Sequence, residues 1–170
     1  MPTPPFADAF GHHVWATIRL LEVCAGLDDA QLATAVPGAY GSIIATLRHV
    51  VGGDSFYLDV LLGGAPIPYD EEHSDIPTMR TVMEAHGRAW QAVVARDLDA
   101  ATDVVEYEGP AWETHAPLGI RLAQALHHGT DHRSQICTAL TVIGVEPPSI
   151  DAWDFGALDG RVVTRPSVTS

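Results

Sequence analysis

Four long stretches of this chain carry apolar residues at a 3.6-residue period, and each is bracketed by residues that start or stop a helix. That pattern predicts an all-α architecture. The first stretch runs from about Ala7 to Gly26, with Val14, Ile18 and Leu21 on one stripe and Gly26 as its expected stop. The second runs from Ser42, a good N-cap, to Leu62, where Gly63-Gly64 terminates it. The third runs from about Ile76 to Leu98, with Asp75 as cap and a stripe of Met79, Val82, Met83, His86, Trp90 and Val93. The fourth runs from about Leu118 to Ile143, with Gly144 just past its end.

A short extra helix is expected over Asp28 to Ala35. Asp103 to Gly119 breaks the helical period and reads as a small hairpin or an irregular loop, with Gly109-Pro110 as a turn signal. Val145-Glu146-Pro147-Pro148 ends the last helix, and the tail after Phe155 fades into Gly, Pro and Ser. Helices of this length joined by moderate loops predict a four-helix bundle in one domain over residues 1–170, with a core of about 6–156 and a tail of 157–170. Ile43, Leu47, Val50, Val51, Leu58 and Leu61 share one face of the second helix, and Ala45, Gly52, Phe56 and Val60 form another apolar arc. A helix apolar around so much of its circumference predicts an inner position and a homodimer contact.

Composition excludes several functions. The net charge is −13, from 22 acidic against 9 basic residues. A nucleic-acid surface needs clustered cations, so no nucleic-acid partner is expected. The same charge disfavours anionic membranes, and no run approaches a membrane-spanning length. The N-terminus has neither a basic n-region nor an apolar h-region, so a cytoplasmic location is expected. Cys24 and Cys137 fall in predicted helices and read as small buried hydrophobes.

Within the fourth helix, His128 and His132 are four residues apart and project from one side. Two nitrogen ligands on adjacent turns are a natural half of a divalent-metal site. His49 lies on the second helix and would have to meet them across the bundle. Three histidines with an open position describe a catalytic rather than a structural metal site. Asp54 sits on the main apolar face of the second helix, where an unpaired carboxylate is costly. A structural partner such as Arg is its plain reading; a general-base or ligand-supporting role is the alternative. Gln135 and Asp131 are further candidates for supporting the ligands. His12 and His13 read as surface residues, with one of the two pointing into the bundle as the alternative; His86 reads as a satisfied core histidine, and His127 points away from the pair, either supporting the ligands or facing solvent. Trp153 is placed at a pocket mouth.

Three motifs in order resemble the DinB family, the DinB/YfiT-like metalloenzymes. Leu47-Arg48-His49-Val50 is similar to the family's single upstream ligand. His128-x-x-x-His132-Arg133-x-Gln135-Ile136 is similar to its paired histidines followed by Arg-Gly-Gln, with Ser134 in place of the usual Gly. Gly144-Val145-Glu146-Pro147-Pro148-x-x-Asp151-x-Trp153-x-Phe155 resembles the family's ending. The resemblance implies a four-helix bundle, a divalent ion (zinc or nickel being usual) on His49, His128 and His132, and frequent dimers. Family members include thiol-dependent transferases and a maleylpyruvate isomerase that use mycothiol or bacillithiol. The expectation is a metal-dependent enzyme acting through activated water or a low-molecular-weight thiol, of the thiol S-transferase or isomerase class. The alternative is a non-catalytic metal-binding or stress-response scaffold dimer.

Overall fold

The structure is a computed structural model that describes residues 4, 6–64, 67–108 and 111–165. It is mostly helical, with one small antiparallel sheet: α1 (Ala7–Cys24), α2 (Asp29–Leu32), α3 (Ile43–Leu62), α4 (Ile76–Val94), β1 (Asp103–Glu108), β2 (Trp112–Pro117), α5 (Leu118–Val142) and α6 (Ala152–Ala157).

Local chemistry sets most of these limits. Asp28 caps α2 through a reciprocal capping box with Gln31. Ser42 caps α3 by accepting from the Ala45 N–H, and Asp75 caps α4 by accepting from the Thr78 N–H. Gly63 closes α3 in the left-handed region at φ 74°. Gly144, at φ 76°, closes α5: its own N–H reaches the Thr141 carbonyl while the Val145 N–H reaches that of Leu140.

Several limits differ from the sequence reading, among them that of α2, which ends at Leu32 rather than Ala35. Gly26 is not the stop of α1, which ends at Cys24 with a right-handed Ala25 cap. Helix α4 ends at Val94 rather than Leu98. Asp97 and Asp99 follow there, and acidic groups oppose the negative end of a helix. Helix α6 was not expected. At six residues it carries no readable period, and it starts where the Asp151 carboxylate accepts from the Trp153 N–H at 2.7 Å. Residues 157–165 are correspondingly more than a loose tail. Val162 packs over Gly156, and Arg161 pairs with Asp8 and Asp159 while lying 5.2 Å from the Phe155 ring centre.

The long helices pack in a ring. Helix α1 lies against α4 and α5, and α3 lies against the same two. Inside, Phe10 stacks on Trp90 at 4.2 Å, surrounded by Leu20, Leu21, Leu47, Leu58, Met79, Met83, Ile136 and Leu140, all buried. The hairpin pairs Asp103 with Pro117 through Glu108 with Trp112; its Gly109-Pro110 turn lies outside the described residues. It is held to the first turn of α5 by Arg121, which pairs with Glu106 and donates to the Thr114 carbonyl at 2.8 Å. No helix among the described residues is long and apolar enough to cross a membrane.

Candidate metal centre

Helices α3 and α5 pack directly on each other, and their contact brings His49, His128 and His132 together. One ligand atom from each lies within 4.8 Å of the others. The ring centres are 4.6–5.0 Å apart and the rings stand at 67°, 77° and 85° to one another. The Nε2 atoms of His49 and His128 are 3.1 Å apart. Neighbouring ligands on a tetrahedral ion with bonds of about 2.0–2.1 Å would be about 3.3 Å apart. All three residues are half-buried, open enough for an ion to enter and shielded enough to hold it.

Hydrogen bonds set the outward edges of two of these rings. His49 Nδ1 lies 3.0 Å from Glu71 Oε1, and His132 Nδ1 lies 3.0 Å from Gln135 Oε1. Both partners are acceptors, so both Nδ1 atoms carry the proton and both Nε2 atoms present lone pairs. His128 differs. Its Nδ1 is buried with no hydrogen-bond partner among the described residues, and its Nε2–H donates to His49. Burial pushes the His128 imidazolium down to about 4, and the neighbouring His132 and His49 push the same way. A base that refuses protons in this way keeps its lone pair available. Three converging imidazoles, two of them fixed in the ligating tautomer, fit a divalent ion.

Close approach around the cluster depends on two adjacent glycines. A Cβ on Gly53 would sit 2.5 Å from His128 Cε1, and one on Gly52 would sit 2.8 Å from Glu71 Cδ. Tyr40 stacks on His49 at 4.0 Å and 6°, and its backbone N–H donates to Gln135 Oε1 at 2.9 Å. Tyr57 meets the edge of His128 at 5.5 Å. Sequence reasoning missed Glu71, Tyr40 and the glycine pair. A usable signal was present, because two glycines in mid-helix each cost about 1 kcal/mol relative to Ala unless something must come close.

The other candidates fall elsewhere. Asp131 is exposed and makes none of the contacts that orient the histidines. His127 is exposed as well, and Trp153 is 71% exposed and lines no cavity among those described. Ser134 is exposed, so it crowds no helix contact. Asp54 bonds to none of the three histidines. It accepts from His13 Nε2 at 2.9 Å and from Trp90 Nε1 at 3.2 Å.

His13 is fully buried rather than on the surface. Its Nδ1 accepts from Arg133 Nη1 at 3.0 Å, which leaves Nε2–H to donate to Asp54. The imidazole therefore bridges a buried cation and a buried anion. Thr17 and Thr130 take further Arg133 donors. Burial would push the Asp54 carboxyl up, but the polarity and hydrogen bond of His13, with His86 and the Trp90 N–H, hold it below its ordinary value. Burial pushes Arg133 down to about 10 despite the Asp54 charge. His86 is buried but only half satisfied: Nε2 bonds to Ser55 Oγ at 3.0 Å, while Nδ1 lies 4.0 Å from Asp54 Oδ2 with no hydrogen bond among the described residues.

A cavity of about 530 Å³ lies between α1, α5 and α6, lined by His12, Leu126, Thr130, Arg133 and Phe155. Its α5 residues face away from His128 and His132. A groove of about 360 Å³ adjoins the cluster at Gly52 and Glu71.

Residues 1–160 match the DinB family, nearly the whole chain, and the protein belongs to that family. It is also 32% identical over 112 residues to the tRNA dimethylallyltransferase of Deinococcus radiodurans. That match covers 65% of this chain and 32% of the other, so this chain spans about a third of that relative.

Proposed function

We propose that His49, His128 and His132 hold a divalent metal ion, zinc or nickel, and that the protein is a metal-dependent enzyme acting on a small molecule. The single observation that carries this reading is the set of three mutually perpendicular imidazoles, with His49 and His132 both held as Nδ1–H tautomers. Three protein ligands leave positions open, and the bound ion would supply Lewis acidity toward a low-molecular-weight thiol or water. The chain's own part is to fix the ligand rings and to keep His128 deprotonated. The family's thiol-dependent members support a reaction of the thiol S-transferase or isomerase class as the reading. The four long helices are read as a DinB/YfiT-like four-helix bundle, a single cytoplasmic domain that pairs as a homodimer.

One observation favours a second reading, a non-catalytic metal-binding scaffold. The larger cavity lies on the far side of α5, and the smaller groove adjoins the cluster at Gly52 and Glu71 without being lined by any of the three histidines. The transferase activity of the tRNA-modifying relative is not carried over. The shared part is a minority of that protein, and all nine basic residues of this acidic chain are arginines, with no lysine to spare for phosphates.

The test is elemental analysis of protein purified without added metal, then conjugation assays with bacillithiol, mycothiol and glutathione. Stoichiometric metal with turnover of one thiol supports the enzyme. Stoichiometric metal with no thiol chemistry supports the scaffold. Protein that takes up no zinc or nickel on reconstitution overturns both.

A further inference from the structure

The loop between α3 and α4 is not a passive connection. Tyr69 Oη donates to the Arg48 carbonyl at 3.1 Å, and Arg48 Nε donates to the Ser74 carbonyl at 2.8 Å. Residue 48 thus grips the loop from both ends. Between these anchors, Asp70 Oδ1 accepts from the Glu72 and His73 N–H groups, and the Ser74 N–H returns to the Asp70 carbonyl. Residues 69–74 form a turn fixed to the helix residue that precedes His49.

The only member of this turn that reaches the cluster is Glu71. Its Oε1 accepts from His49 Nδ1 at 3.0 Å, and its carboxylate lies over Gly52, where any Cβ would displace it. Arg48 anchors the turn, His49 receives the carboxylate and Gly52 makes the space, so one face of α3 has three residues serving one contact.

We infer that Glu71 is a positioning residue that holds His49 as the Nδ1–H tautomer and aims its Nε2 lone pair at the metal. This rests on the three-histidine reading. The physical reason is that an imidazole has one proton and two nitrogens. A carboxylate at Nδ1 fixes the proton there, increases the basicity of Nε2 and stops ring rotation. Without Glu71, Tyr40 still stacks on the ring, but the plane can flip and the proton can move to Nε2. Glu71 is itself half exposed, so as an ion pair it adds little to stability. Its effect is on the ligand rather than on the fold.

The experiment compares wild type with Glu71→Ala, Glu71→Gln and Gly52→Ala. Zinc affinity is measured by chelator competition, the His49 tautomer by nitrogen-15 NMR of the metal-free protein, and the fold by circular dichroism. Glu71→Ala is expected to weaken zinc binding by roughly 10- to 100-fold, the range typical of lost partners behind a ligand histidine. Gly52→Ala should do the same by pushing the carboxylate away. Glu71→Gln keeps an acceptor oxygen at Nδ1 and should recover part of the loss. In metal-free protein the wild-type Nδ1–H signature should give way to mixed tautomers in Glu71→Ala, with unchanged helicity. Wild-type affinity in Glu71→Ala overturns this inference alone. A wild-type chain that binds neither zinc nor nickel overturns the three-histidine reading and this inference with it. An unchanged tautomer in Glu71→Ala also overturns it, because another group would then be holding the ring.

Discussion

Two clusters of polar side chains lie side by side on α3 and α5, and they differ in what they lack. Asp54 follows Gly53 in sequence, and Arg133 follows His132, so each helix contributes to both. The inner cluster of His13, Asp54, Trp90 and Arg133 is closed: the cation, the anion and the bridging imidazole meet one another's hydrogen bonds out of water. The outer cluster of His49, His128 and His132 is half-buried, carries no counter-charge at its centre and turns the Nε2 lone pairs of His49 and His132 inward. A polar group on the inside of a protein either finds its partner in the chain or waits for one from outside. The inner cluster should therefore govern stability and the outer one ligand binding.

The largest effect should come from breaking the inner cluster. Asp54→Ala strands the Arg133 guanidinium in the core, and loss of one member of a buried charge pair costs about 3–5 kcal/mol. Urea denaturation of the metal-free protein measures it. A loss under about 1 kcal/mol would show that water reaches Arg133 and that the contrast fails. Next, His132→Ala should leave the metal-free protein folded while metal occupancy falls to background. Wild type at about 100 times its Kd for metal should gain about 2.7 kcal/mol that this variant does not. Melting with and without zinc reads the difference.

The same methyl group placed in each region then sharpens the comparison. Gly129→Ala puts a Cβ 2.8 Å from both Arg133 Nη1 and His13 Nδ1, and crowding of this kind costs about 1–3 kcal/mol. Gly53→Ala crowds His128 instead. It should lower zinc affinity more than it lowers metal-free stability, because Ala in mid-helix returns about 1 kcal/mol. Equal stability losses with unchanged affinity would erase the distinction.

Acid should act on the inner region in two stages. Burial holds His86 below its ordinary 6.5, partly offset by Asp54. Below 6.5 the unfolded chain therefore binds more protons at this residue, and stability falls as the pH drops. Asp54 is held below 3.8, so its contribution is present above that value and fades as the pH falls through it. Melting temperature against pH in chelator should bend downward in both windows, and His86→Gln should shrink the first bend, to which His128 contributes in the same direction. The smallest effect belongs to Asp131→Ala. An exposed carboxylate with no role in orienting the ligands should change stability by less than about 0.5 kcal/mol and leave zinc affinity alone.

Much of the helical frame was legible because it is decided locally. Ser42, Asp75, Gly63 and Gly144 each announce an end through their own side chain or φ angle. The spacing of His128 and His132 is likewise a property of one helix. What was not legible depends on how helices rotate against one another. His12 and His13 are neighbours with identical chemistry, yet His13 is buried and His12 reaches the Ile150 carbonyl at the rim. Asp54 was recognisable as costly, but its partner lies on another helix and proved to be a histidine relaying to an arginine. Glu71 stands between Asp70 and Glu72, and composition gives no means of choosing among three acids. Gly52-Gly53 was the readable trace, since helix formers are given up there to let two side chains in. Helix α6 is too short for a period, and only its Asp151 cap was visible.

The bridging position of His13 has a consequence for the order in which the protein is made. Domains emerge from the ribosome N-terminus first. Helices α1 and α3, which meet across the bundle through His13 and Asp54, are therefore available together before α5, and Asp54 can meet His13 and then Trp90 while Arg133 is still unsynthesised. Until α5 arrives, the nascent core holds a carboxylate without its distant cation, which disfavours early closure. The last long helix to be translated supplies the charge that makes the interior neutral, and in the same stroke it brings His128 and His132 to His49.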